Sequence, residues 1–347
     1  MSTSARTGDD VTPPSGDQAA AGEETAPLRR RGGLLTAARE RADAFPWVWA
    51  FLGTIAIWIA ISAYTGHSLD GTFTASLSFA PYLVIVGIGQ MFVITAGYGS
   101  IDLSVPYVMT YAGFLSVGVM NGGQGSIVLG FLVAIGAGLA VAVINVLAIE
   151  LLDIPPIVTT LATGLMAQTA ISVKSGNFNA SVDPSVHNFT TARLGSIPVL
   201  AILVLAFAVL AGFVLHRTRF GRRLQAIGQS RPAADLAGLR VNLTLAIPYL
   251  ISGVLAAIAG VLLAAYGSPS VDIGDPYLLN SIAVVVIGGT LIQGGRSNVT
   301  GVWGGALFIT LLVTLLGVLN INPATQNVVK GALIILVLVL AGSKKTT

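Results

Sequence analysis

The chain changes its pattern near residue 45. Up to Ala26 it is small, polar or acidic, with almost no large apolar side chain, and Arg29, Arg30, Arg31, Arg39 and Arg41 follow. Such a stretch buries too little surface to offset its chain entropy, so residues 1–45 are expected to be a disordered basic tail. It has neither the early apolar core nor the small-residue cleavage site of a signal peptide. From Trp47 onward, apolar runs alternate with short polar breaks. About ten runs are long enough, or nearly so, to cross ~30 Å of hydrocarbon. They lie near 46–65, 78–96, 105–121, 126–149, 156–173, 197–215, 245–266, 277–293, 300–319 and 326–342. The run at 105–121 is short, and it is either a complete crossing or a broken or re-entrant segment. Residues 46–343 thus read as one all-α transmembrane domain, with a cytoplasmic loop at 216–243.

Composition supports this. Hydrophobic residues make up 54% and charged residues 10% of the 347, against about 25% charged in soluble domains. Mean hydropathy is +0.83. A soluble enzyme, a nucleic-acid binder and a disordered scaffold are poor readings of such a chain, which leaves a multi-pass membrane protein. With ten crossings and the tail inside, both termini are cytoplasmic. All 18 lysines and arginines then lie inside except Lys174, Arg193 and Lys330, a strong positive-inside pattern. The absence of cysteine excludes disulfides and thiol chemistry. His67, His187 and His216 are too scattered for a metal pair. The 41 glycines point to close helix approach. Gly130, Ala134, Gly138 and Ala142 form a small-residue seam, and Gly301 with Gly305 a shorter one.

Candidate chemistry is sparse. No phosphate-binding loop and no metallohydrolase or serine-hydrolase motif occurs, so no catalytic residue, metal site or cofactor is expected in this chain. Ionisable groups are rare in the runs, which argues against ion-coupled transport and favours a neutral polar solute. Polar residues within or beside the runs are the pathway candidates: Gln90, Asp102, Ser104, Asn145, Gln168 and Asn280, with Thr159, Thr160 and Thr163 nearby. Phe92 and Tyr107 offer aromatic faces to a passing solute. Interhelical hydrogen bonding is the other use of such groups. Asp102, Ser100 and Ser104 either cap a helix starting near Val105 or line an aqueous path.

In the 216–243 loop, Ser230 is a plausible N-cap, Pro232 suits the first turn, and Gly238 suits a left-handed end. This predicts a helix of about two turns, either a solvated connector or an alanine-faced element that enters a groove on a partner. Under the second reading, a bulky charge at Ala234 is expected to block docking. A weak internal echo relates Gly97, Ser100 and Val105 to Gly294, Ser297 and Val302, at constant spacing.

These residues carry a resemblance. Gly228, Ala233, Ala234, Gly238, Leu239, Val241 and Asn242 match the cytoplasmic coupling loop of ABC importer permeases of the ribose-type sugar family. Thr95-Ala-Gly-Tyr-Gly-Ser-Ile-Asp-Leu-Ser-Val105 resembles that family's T-x-G-I-D-L-S-V-G motif. Here Tyr98, Gly99 and Ser100 stand as extra residues before Ile101, and Pro106 replaces a glycine. Asn280 to Gly301, with Ile287-Gly-Gly-Thr and Gly294-Gly-Arg-Ser, is a third match. The resemblance covers residues 46–342 and implies the type II importer permease fold. It also implies a second permease copy, identical or related, a separate ATPase subunit that holds ATP and Mg, and an extracytoplasmic solute-binding protein. Gly228, Ser230, Ala233, Ala234, Asp235, Leu236 and Gly238 become the ATPase-coupling set. The solute is expected to be a monosaccharide. The alternatives are a branched-chain amino acid permease of the same type and an ion-coupled secondary transporter.

Overall fold

A computed structural model describes residues 47–342, apart from 67–68, 123–125, 177 and 179. The expected disordered tail lies outside the described residues. Thirteen helices are present among them: α1 (Trp47–Thr65), α2 (Leu69–Thr95), α3 (Val105–Met120), α4 (Ile127–Leu151), α5 (Pro156–Ser175), α6 (Pro184–Thr191), α7 (Val199–Arg217), α8 (Arg219–Gln229), α9 (Arg231–Leu236), α10 (Val241–Gly267), α11 (Tyr277–Ile287), α12 (Val299–Val318) and α13 (Pro323–Gly342). A two-residue antiparallel ladder pairs β1 (Arg193–Leu194) with β2 (Ile197–Pro198).

Each apolar run expected to cross the membrane corresponds to one helix. Seven helices (α1, α2, α4, α5, α7, α10 and α12) are long and apolar enough to span a bilayer. The rest of the set, α3, α11 and α13, are shorter in their apolar part. Of the readings open at 105–121, the broken one does not hold, and a break lies elsewhere. Residues 105–120 form one unbroken helix, whereas the run at 277–293 stops at Ile287 after 11 residues. At 1.5 Å per residue that is ~16 Å, about half a bilayer core. Gly289 stops it, taking φ of 84°, which β-carbon-bearing residues rarely adopt; Gly294 and Gly295, with φ of 90° and 78°, shape the turn that follows.

The centre of the bundle is α2 and α10, the most buried of the long helices. Around α10 pack α2, α3 and α4, and α12 packs on α1, α2 and α11. Glycine sets these distances. The seam on α4 divides its work: Gly130 abuts Met120 and Ser116 of α3, while Gly138 abuts Gly253 of α10. A β-carbon on Gly253 would sit 2.5 Å from the Gly138 carbonyl oxygen and 2.8 Å from Ala142 Cβ. Gly301 and Gly305 meet the backbone of α11 at Gly288 and Val284 in the same way.

The soluble segments hold more structure than their composition predicts. Asp183 and Pro184, expected to mark a turn, begin α6. Asp183 Oδ1 accepts from the Ser185 N–H at 2.8 Å, and proline fills the first turn. In 216–243 there are two helices, not one. The unexpected one, α8, buries Leu224 and Ile227 completely.

If backbone contact at the α4–α10 crossing holds the bundle, Gly253→Leu will destabilise it by about 1–3 kcal/mol. Gly136→Ala, at a glycine with open space around it, will change stability by less than about 0.5 kcal/mol. Thermal unfolding of both variants in detergent micelles reads the difference; equal melting would remove the close approach as a determinant.

Candidate functional site

Two constructions bring the predicted residues together. The first is at the arginine-rich end. Ser230 has φ −158° and ψ 104°, and its Oγ accepts from the Ala233 N–H at 3.4 Å, so it is the N-cap of α9. At the other end Gly238 takes φ +72°. Its N–H donates to Asp235 O at 2.8 Å, and the Leu239 N–H to Ala234 O at 3.1 Å. This double closure ends the helix sharply. Ala233, Asp235 and Leu236 point outward, Leu236 with 91% exposure. Ala234 does not: it is 5% exposed and packs on the core. The outward surface is therefore Ala233–Leu236 without Ala234, and a charge at Ala234 would disrupt the seat of the helix rather than its outer face.

Gly228, the last predicted glycine of this set, has a different task. A β-carbon there would overlap the Thr95 carbonyl and the backbone of Gly295. The Gly295 N–H also donates to Thr95 O at 3.0 Å. Gly294 abuts Gly97, and the Thr95 and Ser297 hydroxyls share a hydrogen bond of 2.5 Å. The two segments of the internal echo thus face each other, with Gly228 of α8 wedged against both.

The second construction is a buried polar hub. Asp102 is 2% exposed. Its Oδ1 accepts from the Ser104 N–H at 2.9 Å and from Ser104 Oγ at 2.5 Å. Its Oδ2 accepts from Ser252 Oγ of α10 at 2.6 Å. The Gln90 amide of α2, oriented to satisfy both partners, donates to Asp102 O at 3.1 Å and accepts from its N–H at 3.3 Å. Asn145 Nδ2 of α4 donates to Ser104 Oγ at 3.2 Å, and Thr163 Oγ1 of α5 donates to Asn145 Oδ1 at 2.5 Å. Thr160 of α5 accepts from the Leu103 N–H at 3.0 Å. Asp102 and Ser104 therefore do not cap α3 through its first-turn N–H groups; they tie the 96–104 segment to α2, α4, α5 and α10.

Four of the six pathway candidates, Gln90, Asp102, Ser104 and Asn145, belong to this hub, and each is at most 2% exposed. Gln168 stands apart: its Nε2 donates to Val271 O at 2.8 Å and holds the 268–276 segment on α5. Asn280 of α11 is 8% exposed, and its Oδ1 has no hydrogen-bond partner. Of the aromatic candidates, Phe92 is buried 6.2 Å from the Phe220 ring. The Tyr107 ring covers Gly164 and is partly open. In the 268–276 segment, incomplete solvation and the neighbouring Asp272 carboxylate push the Asp275 carboxyl above its ordinary value. Among the described residues no cluster fit for a metal ion occurs.

Sequence inspection misses Ser252, an apparently ordinary polar residue in an apolar helix. It also misses the link between Arg231 and Glu150, whose Nη2 and Oε1 are 3.8 Å apart. Helix α8 carried a signal, since Phe220, Leu224 and Ile227 recur at helical spacing.

A family model described as "Branched-chain amino acid transport system / permease component" matches residues 72–338. The ribose import permease protein RbsC of Bacillus subtilis (strain 168) is 34% identical over 267 residues, 76% of this chain and 81% of its own length. The L-arabinose transport system permease protein AraH of Escherichia coli (strain K12) is 31% identical over 72% of this chain and 76% of its own. The fructose import permease protein FruF of Bifidobacterium longum (strain NCC 2705) is 29% identical over 81% of this chain and 80% of its own. No solved structure matches.

The hub makes a coupling prediction. Ser252→Ala and Asp102→Asn each disturb one buried acceptor–donor set, and each is expected to cost about 1–3 kcal/mol of stability. Because both act on the same contact, the double variant will lose less than the sum. Additive losses in chemical unfolding would show that the two side chains do not share a bond.

Proposed function

Because the chain belongs to the ribose-type sugar family of ABC transporter permeases, we propose that it forms the membrane path through which a monosaccharide is imported, driven by ATP hydrolysed on a separate subunit. It is a multi-pass inner-membrane protein. In this account two permease copies enclose the path, and an ATPase subunit, holding ATP and Mg, docks on each. An extracytoplasmic binding protein delivers the sugar and supplies most of the selectivity. Ten segments cross the bilayer, the one that holds the half-length α11 completing its crossing through the turns on either side of that helix, with both termini in the cytoplasm.

The observation that carries the docking assignment is α9. It is a short, doubly capped helix at the arginine-rich end, and it presents Leu236 at 91% exposure. A rigid knob of this kind transmits a push, whereas an uncapped loop would bend. The topology is supported by the meeting of α8 with the Gly294–Gly295 turn. That contact puts Arg296 at the same end as the arginines of 217–240, as the positive-inside pattern requires. Alternating access needs no tight sugar site in this chain. Asn280, with its free Oδ1, and Gln168 are the amides able to meet a sugar hydroxyl along the way.

Ribose, L-arabinose and fructose are the sugars named for the relatives, and they are the first substrates to try. The family model's own description favours a second reading, a branched-chain amino acid. A zwitterion calls for opposite charges in the path. Among the described residues the one ion pair, Arg231–Glu150, lies at the α9 end instead.

The test is reconstitution in liposomes with the ATPase subunit and the binding protein. Uptake of labelled ribose, arabinose or fructose is expected to require ATP and to survive ionophores. The permease alone will be inert. Leu236→Asp is expected to weaken retention of the ATPase subunit by about tenfold or more, as for loss of a docking anchor. Uptake by the lone permease in response to a proton or sodium gradient would overturn the proposal.

A further inference from the structure

Three consecutive residues, Gly97, Tyr98 and Gly99, take φ of +74°, +55° and +72°. Glycine adopts this backbone freely, but an aromatic residue does so rarely and under strain. Tyr98 belongs to the three residues that lengthen this motif relative to the family pattern. Its side chain is 54% exposed, so core packing does not hold it there. What holds it is α9.

The Tyr98 hydroxyl accepts from the Arg231 N–H at 2.9 Å. Arg231 is the first residue of α9, and a first-turn N–H has no acceptor within its own helix. The Arg231 guanidinium lies 5.4 Å over the Tyr98 ring, within cation–π reach. The same guanidinium reaches Glu150, the penultimate residue of α4, at 3.8 Å. Between these groups is a cavity of about 150 Å³ lined by Tyr98, Ser100, Glu150, Asp153, Arg231 and Tyr249. The N-terminal end of α9 is thus joined to the bundle at this point by polar links across a gap rather than by packed apolar side chains.

Four residues beyond Tyr98 stands Asp102, bonded to α2 and α10 and, through Ser104 and Asn145, to α4 and α5. We propose that Tyr98 is a strut that carries displacement of α9 into the Asp102 hub, making Tyr98 and Arg231 positioning residues of the transport cycle. This rests on α9 being the ATPase-docking helix. A shift of α9 moves the Arg231 N–H and guanidinium together. Tyr98, gripped at both hydroxyl and ring, moves with them, and the short segment to Asp102 leaves little slack. The competing route is the backbone contact of Gly228 with Thr95 and Gly295, which bypasses Tyr98.

Hydrogen–deuterium exchange on the assembled complex in nanodiscs separates the two routes, with ATP and vanadate as the trigger. In the native chain, exchange is expected to change both in 230–238 and in 96–104. In Tyr98→Ala the change in 230–238 will persist, while that in 96–104 will fall by about fivefold or more, the usual lower bound of a coupling between sites. Tyr98→Phe keeps the ring but loses the acceptor, and will fall between the two. Solute moved per ATP will drop in the same order, with the ATPase subunit still bound. An undiminished response of 96–104 in both variants overturns the strut, as does a native chain that responds only in 230–238. A native complex with no response in either segment overturns the docking assignment and the strut with it.

Discussion

A carboxyl group held inside an apolar bundle is tolerated only if its oxygens find hydrogen-bond partners. Asp102 is met by serine hydroxyls and a backbone amide, and among the described residues no basic side chain pairs with it. Its donors and their own partners come from α4, α5 and α10, and the Gln90 amide fastens its backbone to α2. Satisfying one buried carboxyl group therefore fixes the relative positions of four helices that otherwise meet mostly through alkyl side chains. In hydrocarbon, apolar packing alone discriminates weakly between helix registers, because lipid is as good a neighbour as leucine. The hub supplies the register.

Close backbone approach does the complementary work. At the arginine-rich end, Gly97, Gly228, Gly294 and Gly295 leave no room for side chains, and the Thr95 carbonyl accepts from the Gly295 amide across that gap. The two segments of the internal echo are the ones that touch. That is what two related halves of a bundle produce when they pack about a common axis. Of the three echo pairs at constant spacing, Gly97 and Gly294 are the one that meets directly.

Much of this was legible in residue order. Apolar runs mark all ten long or apolar helices, because burial in lipid and burial in protein select the same side chains. The α9 caps were legible because Ser230, Pro232 and Gly238 each solve a local backbone problem. The polar residues of the hub could be picked out singly, but not as one network. Gln90, Asp102, Asn145 and Ser252 are far apart in the chain, and only the helix packing makes them neighbours. For the same reason Ala234 reads as an outward alanine. Within a six-residue helix the apolar period is too short to say which side faces the bundle. The break after Ile287 was masked by hydropathy, since Leu291 and Ile292 continue the apolar run through glycines that end the helix.

The arrangement separates stiff from yielding parts in a way that suits a gate. The α4–α10 crossing and the hub are locked by backbone contact and saturated hydrogen bonds, so they move as bodies. Helix α11 spans only about half the bilayer core. Its ends join a turn-rich segment at 268–276 and a glycine turn at 288–298, so it has joints on both sides. Asn280, with an unpaired buried oxygen, sits on this same short helix. An orphaned acceptor is costly in a fixed interior and tolerable where the surroundings open in part of a cycle. Under the proposed transport cycle, a rigid frame driven from α9, with one half-length helix free to respond, would concentrate displacement where a passing sugar meets a hydrogen-bonding group.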